Sequence, residues 1–291
     1  MSLMVRALPA VAYPLVLLCG LGLHAGLLAA GVPLLWSTYV PVFLGMVAVA
    51  RLEHVVPHDR RWRAKRAEVA NDALFLIAVQ VLLPKALTLW GAVALLRWSE
   101  ARGLSLEGLW PGGLPVAIQV VLMVLTADLL RYWLHVLSHQ NRLLWRLHSV
   151  HHSPEKLYWL NVGRFHPLEK ALQFGLDALP FLLLGVREEV LAGYFVFYAL
   201  NGFFQHSNVE LRMGFLNWIV SGAPLHRWHH SRVARESNHN YGNNLIVWDV
   251  LFGTRFLPAD GEIVELGLPR RDYPQGFLSQ MATPFRSELF D

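Results

Sequence analysis

A single cysteine, Cys19, occurs in 291 residues, and it lies within an apolar block. Internal disulfides are therefore excluded, as are a cysteine-ligated iron–sulfur cluster and a Cys-x-x-Cys-His haem attachment. Charge is also scarce. Only 16% of residues are Asp, Glu, Lys or Arg, where a soluble domain carries about a quarter. Gly20-Leu-Gly22 sits inside an apolar run and follows no strand, so it is no dinucleotide fingerprint. Nothing in the chain could hold a flavin, haem or iron–sulfur relay.

What fills the space is apolar sequence, 54% of the whole. Residues 10–31 contain no acid or base except His24, and 69–96 and 114–134 carry few charges. A hydrocarbon layer about 30 Å thick is crossed by roughly 20 helical residues, so these three runs predict membrane helices. Residues 36–50 are shorter and complete a hairpin with the first run, giving about four. The first block is long for a cleaved signal peptide and is followed at once by a second, which predicts that it stays.

Six Arg or Lys fall between residues 51 and 66, whereas 97–113 holds two bases and two acids. The positive-inside bias places the first loop in the cytoplasm, where lipid headgroups rather than nucleic acid meet its charge. The next helix leaves and the one from 114 returns, carrying His135 and His139 to the cytoplasmic side. Two runs of about 15 residues, 171–185 and 190–204, read as a shallow hairpin. Every histidine cluster then lies on one membrane face. The expectation is an all-α integral membrane protein forming a single domain over 1–291. Transmembrane helices occupy 10–134 and a histidine-bearing helical cap 135–257, with the hairpin 171–204 inside it and a peripheral tail at 258–291. No repeat of 20–50 residues is visible.

Six of the fourteen histidines stand in two copies of His-x-x-His-His: His148, His151, His152 and His226, His229, His230. On a helix, positions i, i+3 and i+4 share a face. His135 and His139 make a further i, i+4 pair. Neutral imidazole binds iron, zinc, copper and nickel, and eight imidazoles exceed what one ion uses. Two ions sharing the set is the economical reading. A pH-sensing cluster would not explain the repeated helical spacing. No His-Glu-x-x-His occurs, which weighs against a zinc protease. Two metals in an imidazole cage beside a bilayer suggest redox chemistry on lipid. Spacing alone leaves a zinc hydrolase or dehydratase open. A metal transporter would place its ligands near the midplane.

In this order, the three boxes resemble the fatty acid hydroxylase/sterol desaturase superfamily. The flanks agree: Asp128-Leu-Leu-Arg-Tyr-Trp-Leu-His135, Arg164-Phe-His-Pro-Leu-Glu169, Phe204-Gln-His-Ser-Asn208, His239-Asn-Tyr-Gly242 and Trp248-Asp-Val-Leu-Phe-Gly-Thr254. The likeness is to the bacterial sterol-desaturase-like branch and runs from about residue 128 to 257.

The resemblance implies an integral membrane enzyme with two non-haem iron ions. Such an enzyme hydroxylates or desaturates a lipid with O2 and two electrons at the cytosolic face of the bacterial inner membrane. The eight box histidines become ligands, with His206 a ninth and His239 and His166 further candidates. Some relatives carry another histidine four residues before the one matched by His206; here that position is Gly202. An external donor is required, a ferredoxin or a b-type cytochrome with its reductase. Zinc could misload such a site on overexpression.

Metal-bound imidazoles usually donate their second N–H to a carboxylate or carbonyl. Asp128, two turns before His135 on the same face, is the first such candidate, with Arg131 as its partner. Asn161 and Asp249 follow. His166 could equally begin a helix at Pro167, with Glu169 favouring its N-terminal dipole. His24 reads as a satisfied intramembrane histidine, and His54 and His58 as interfacial.

Overall fold

A computed structural model describes residues 3–103, 106 and 108–290. Leu104, Ser105 and Glu107, part of the 97–113 loop whose charge balance sets the expected topology, lie outside the described residues. Among the described residues the chain is helical, and its extended pairing is limited to isolated bridges. Four helices are long and apolar enough to cross a membrane: α1 (Leu3–Ala29), α2 (Leu34–Val55), α3 (Arg66–Ala101) and α4 (Val116–Gln140).

The α1–α2 connection is tight because Gly31 takes φ +75° and Pro33 presets the start of α2. The helix over 36–50 is longer than its apolar run predicts. It continues through Arg51 and His54 because Glu53 has partners there, accepting from the backbone N–H of Trp159 at 2.7 Å and of Asn208 at 2.9 Å. Within α3, Leu76–Leu82 and Leu87–Ala92 widen to π turns on either side of Pro84. Such widening accommodates a proline that cannot donate.

The cap begins with α5 (Arg142–His152). Asn141 opens this helix, its side chain accepting from Leu143 and Leu144 N–H. The predicted hairpin follows, with a shifted start and a break: α6 (Pro167–Asp177), α7 (Leu179–Leu183) and α8 (Glu188–Gln205). The interruption falls at Ala178, just before Pro180. The second limb, α8, packs against α1, α2 and α4. Leu200, fully buried, wedges against Gly20 and Gly45, where an added Cβ would collide with its methyls.

Short helices complete the cap: α9 (Ala223–His229), α10 (Ala234–Ser237), α11 (Val247–Phe252) and α12 (Phe277–Ala282). The tail, expected to be peripheral, is partly threaded into the cap. Tyr273, Gln280 and Thr283 are buried, with the Tyr273 hydroxyl 3.0 Å from Ser149 Oγ and Gln280 donating to Ser153 Oγ at 2.8 Å. A buried ion pair joins membrane and cap: Arg164 reaches Asp72 of α3, and the Tyr158 hydroxyl donates to the same carboxylate.

Candidate metal centre

The last turns of α4 carry His135 and His139, α5 carries the first His-x-x-His-His, and α9 with its capping residue His230 carries the second. His206 caps α8. These nine rings form two groups, one of His135, His139, His148, His152 and His229, the other of His151, His206, His226 and His230. Within each group the candidate donor atoms all lie within 4.8 Å of one another.

Each His-x-x-His-His copy is divided between the groups. His148 and His152 face the first while His151 faces the second; His226 and His230 face the second while His229 faces the first. The i, i+4 pair of one copy thus meets the middle histidine of the other.

Six rings are oriented through Nδ1. His135 donates to Tyr241 O at 2.7 Å, His139 to Asn238 Oδ1 at 3.0 Å and His148 to Glu169 Oε1 at 2.7 Å. His151 donates to Arg164 O at 3.3 Å, His206 to Asn161 Oδ1 at 3.0 Å and His229 to His239 O at 2.8 Å. With that proton placed on Nδ1, a neutral ring has a bare lone pair at Nε2.

The Nε2 atoms of the two groups face inward, toward one another. His135 Nε2 lies 3.0 Å from His148 Nε2, His152 Nε2 3.1 Å from His148 Nε2, and His226 Nε2 3.0 Å from both His206 Nε2 and His230 Nε2. The Nε2 atoms of His139 and His229 are buried without a hydrogen-bond partner. Metal–imidazole bonds of about 2.0–2.1 Å bring neighbouring donor nitrogens to about 3 Å. The donor set therefore fits two cations, and its nitrogen-only character suits a borderline transition metal rather than calcium or magnesium.

Burial, reinforced by neighbouring imidazoles, holds His148, His151, His152, His226, His229 and His230 well below the usual histidine range. His206 falls to about 3, chiefly through burial and then through Arg164. The rings are thus neutral at pH 7, the form a metal needs. Burial pushes the Glu169 carboxyl up from the usual carboxylate range, while Arg131, Gln173 and Lys170 pull it down.

The other residues singled out in the sequence take different places. His239 stands outside both groups and supplies its carbonyl to His229. His166 also stands outside; it caps α6, accepting from Leu168 N–H, and its Nε2 lies 3.3 Å from Met281 O. Asn161 holds His206. Asp249 accepts from Tyr241 N–H, Gly242 N–H and the Thr254 hydroxyl, each at 2.7 Å, and so fixes the turn whose carbonyl holds His135. Asp128 reaches no histidine. It accepts from Asn244 and Leu245 N–H, both at 2.8 Å, while Arg131 pairs with Asp177 at 2.6 Å rather than with Asp128. His24 meets the Ser37 carbonyl at 2.9 Å, and His58 meets Glu210. Sequence reasoning assigned Glu169 only to the helix dipole; its placement in the Arg-Phe-His-Pro-Leu-Glu flank was the available signal for more.

A cavity of about 630 Å³ adjoins the centre. His135, His148, His151, His206 and His226 are among its lining residues, as are Tyr39, Phe43 and Val81 of the spanning helices. These last three are themselves exposed on the outer surface of the bundle.

Residues 120–254 match the family model for fatty acid hydroxylase. An ornithine lipid hydroxylase of Rhizobium tropici is 33% identical over 98% of this chain and 86% of its own length. Alkylglycerol monooxygenases of Danio rerio and Homo sapiens are each 32% identical, over 49% and 47% of this chain and 31% and 30% of theirs. No solved structure matches. Full-length similarity to one lipid hydroxylase, the histidine groups and the four apolar helices converge: the chain belongs to the fatty acid hydroxylase family of membrane histidine-box oxidoreductases, enzymes that hydroxylate lipids.

Proposed function

We propose that the two histidine groups hold two iron ions and that the enzyme hydroxylates a lipid with an ornithine-type amino-acid head group, at the cytoplasmic face of a bacterial inner membrane. The observation that carries this reading is the inward convergence of nine imidazoles, six of them oriented from behind through Nδ1. Iron bound there would supply O2 activation for oxidation of an unactivated C–H bond, with two electrons from a ferredoxin or a b-type cytochrome and its reductase.

The protein's own part is placement. Glu169, Asn161 and the carbonyls of Tyr241, Arg164 and His239 orient the ligands, and burial keeps them neutral and excludes water. The cavity lies between the spanning helices and the centre, which suits lateral entry of a lipid. The substrate class follows the Rhizobium tropici relative, similar over nearly the whole chain. The basic residues of 51–66 support the cytoplasmic orientation.

The test is conversion of ornithine lipid by iron-loaded enzyme with a reductant under 18O2. A product carrying one 18O atom supports hydroxylation, and loss of two hydrogens without oxygen gain identifies desaturation instead. Turnover independent of O2 contradicts the proposal.

A further inference from the structure

We propose that the inner end of the cavity is a two-sided socket for the lipid's polar head, so that the lipid binds head first. Lys170, Tyr194 and Asn243 face its anionic oxygens, and Glu169 and Gln173 face its cationic nitrogen. The socket deepens the proposed function and rests on it for the substrate class.

Lys170 is 6% exposed and lines the cavity. Its ammonium donates to the Tyr198 hydroxyl at 3.1 Å. Asp177 pairs with Arg131 at 2.6 Å, while Glu169 engages only one oxygen, Oε1, which accepts from His148 at 2.7 Å and from Gln173 Nε2 at 3.0 Å. Among the described residues Lys170 makes no direct ion pair, and a bound anionic group would supply one.

Four further buried polar atoms on the cavity lining have no partner: Tyr194 Oη, Asn243 Nδ2, Glu169 Oε2 and Gln173 Oε1. Buried polar groups are otherwise nearly always satisfied. Two of the four can donate and two can accept. Tyr194 belongs to the donor side with Lys170, because its ring stacks 6.1 Å from Tyr198, the partner of Lys170. Gln173 and Glu169 belong together through their own hydrogen bond, which leaves the second oxygen of Glu169 and the amide oxygen of Gln173 free. A head group matching this lining carries oxygen acceptors and an N–H donor at once, as an amino acid's carboxylate and ammonium do. A hydrocarbon end satisfies none of these atoms. Since Glu169 is shared between the socket and His148, the carbons presented to the histidines are those adjoining the head.

The experiment measures binding, not turnover. Metal-loaded protein in phosphatidylcholine nanodiscs is titrated with ornithine lipid, its carboxyl methyl ester and its N-acetyl derivative, read by native mass spectrometry, with metal content recorded in parallel. The free lipid is expected to bind at least about tenfold more tightly than either capped form, each cap leaving one side of the socket unpaired. Lys170→Met is expected to abolish the preference for the free acid over the ester, and Lys170→Arg to retain it. Gln173→Leu is expected to weaken the preference for the free amine over the N-acetyl form. Equal affinity for all three lipids in the unaltered protein overturns the socket, whether or not the variants fold. Protein that holds no metal yet discriminates the lipids upholds the socket and overturns the diiron reading.

Discussion

Glu169 accepts the Nδ1 proton of His148 at 2.7 Å, across the space between α6 and α5. That bond leaves the Nε2 of His148 as a bare donor, 3.0 Å from the Nε2 of His135 and 3.1 Å from that of His152. One carboxylate thereby sets the ring on which His135 and His152 converge. Removing such a partner typically costs about 10–100-fold in metal affinity. Glu169→Ala is expected to lose affinity in that range, read by competition with a chelator. Glu169→Gln, which keeps an acceptor oxygen, is expected to lose less.

His229 and His151 come from the middle positions of the two boxes but serve different groups. Replacing either by alanine is expected to abolish hydroxylation and to lower bound metal by about half, because each site loses one of its few donors. Elemental analysis beside product formation checks this. A variant with full metal and full activity removes that histidine from the ligand set.

The pH dependence follows from neutral buried imidazoles. Their folded pKa values lie below the unfolded value of about 6.5, with His206 at about 3. The unfolded chain therefore binds protons first as pH falls, and stability drops from about pH 6.5 downward. The folded rings stay neutral through this window, so metal leaves with unfolding rather than by protonation of the folded site. Thermal unfolding of metal-loaded protein between about pH 8 and 5 is expected to show a steep fall in Tm below about 6.5, accompanied by metal release.

Asp72 and Arg164 form a buried pair between α3 and the cap, both at most 4% exposed. The Arg164 carbonyl orients His151. Asp72→Ala leaves a buried guanidinium uncompensated, a change that costs about 3–5 kcal/mol. The expected result is a large drop in Tm together with loss of metal from the group containing His151. Asp72→Asn, still an acceptor, is expected to fall between.

The spanning helices and the boxes were legible in the sequence because each rests on local periodicity: apolar runs of membrane length, and histidines three and four apart. The division of each box between two groups was not. Helical spacing says that His148, His151 and His152 share a face, but the partners across that face come from the distant second box at His226, His229 and His230. Glu169 was partly hidden, because a glutamate in the first turn after Pro167 already has a local role. Asp128 shows the converse. Its position two turns before His135 suggested a partner for a ligand, yet the face it occupies meets the turn at Asn244 and Leu245. Arg131, placed beside it by helical spacing, reaches instead to Asp177, 46 residues on.

The most direct test of the two-iron centre is the metal content of gently solubilised, iron-reconstituted protein beside a His229→Ala control. Iron near two per chain, reduced in the variant, is the expected result. Zinc in freshly overexpressed protein is to be exchanged for iron before the comparison is made. No bound metal in either protein after reconstitution contradicts the centre itself.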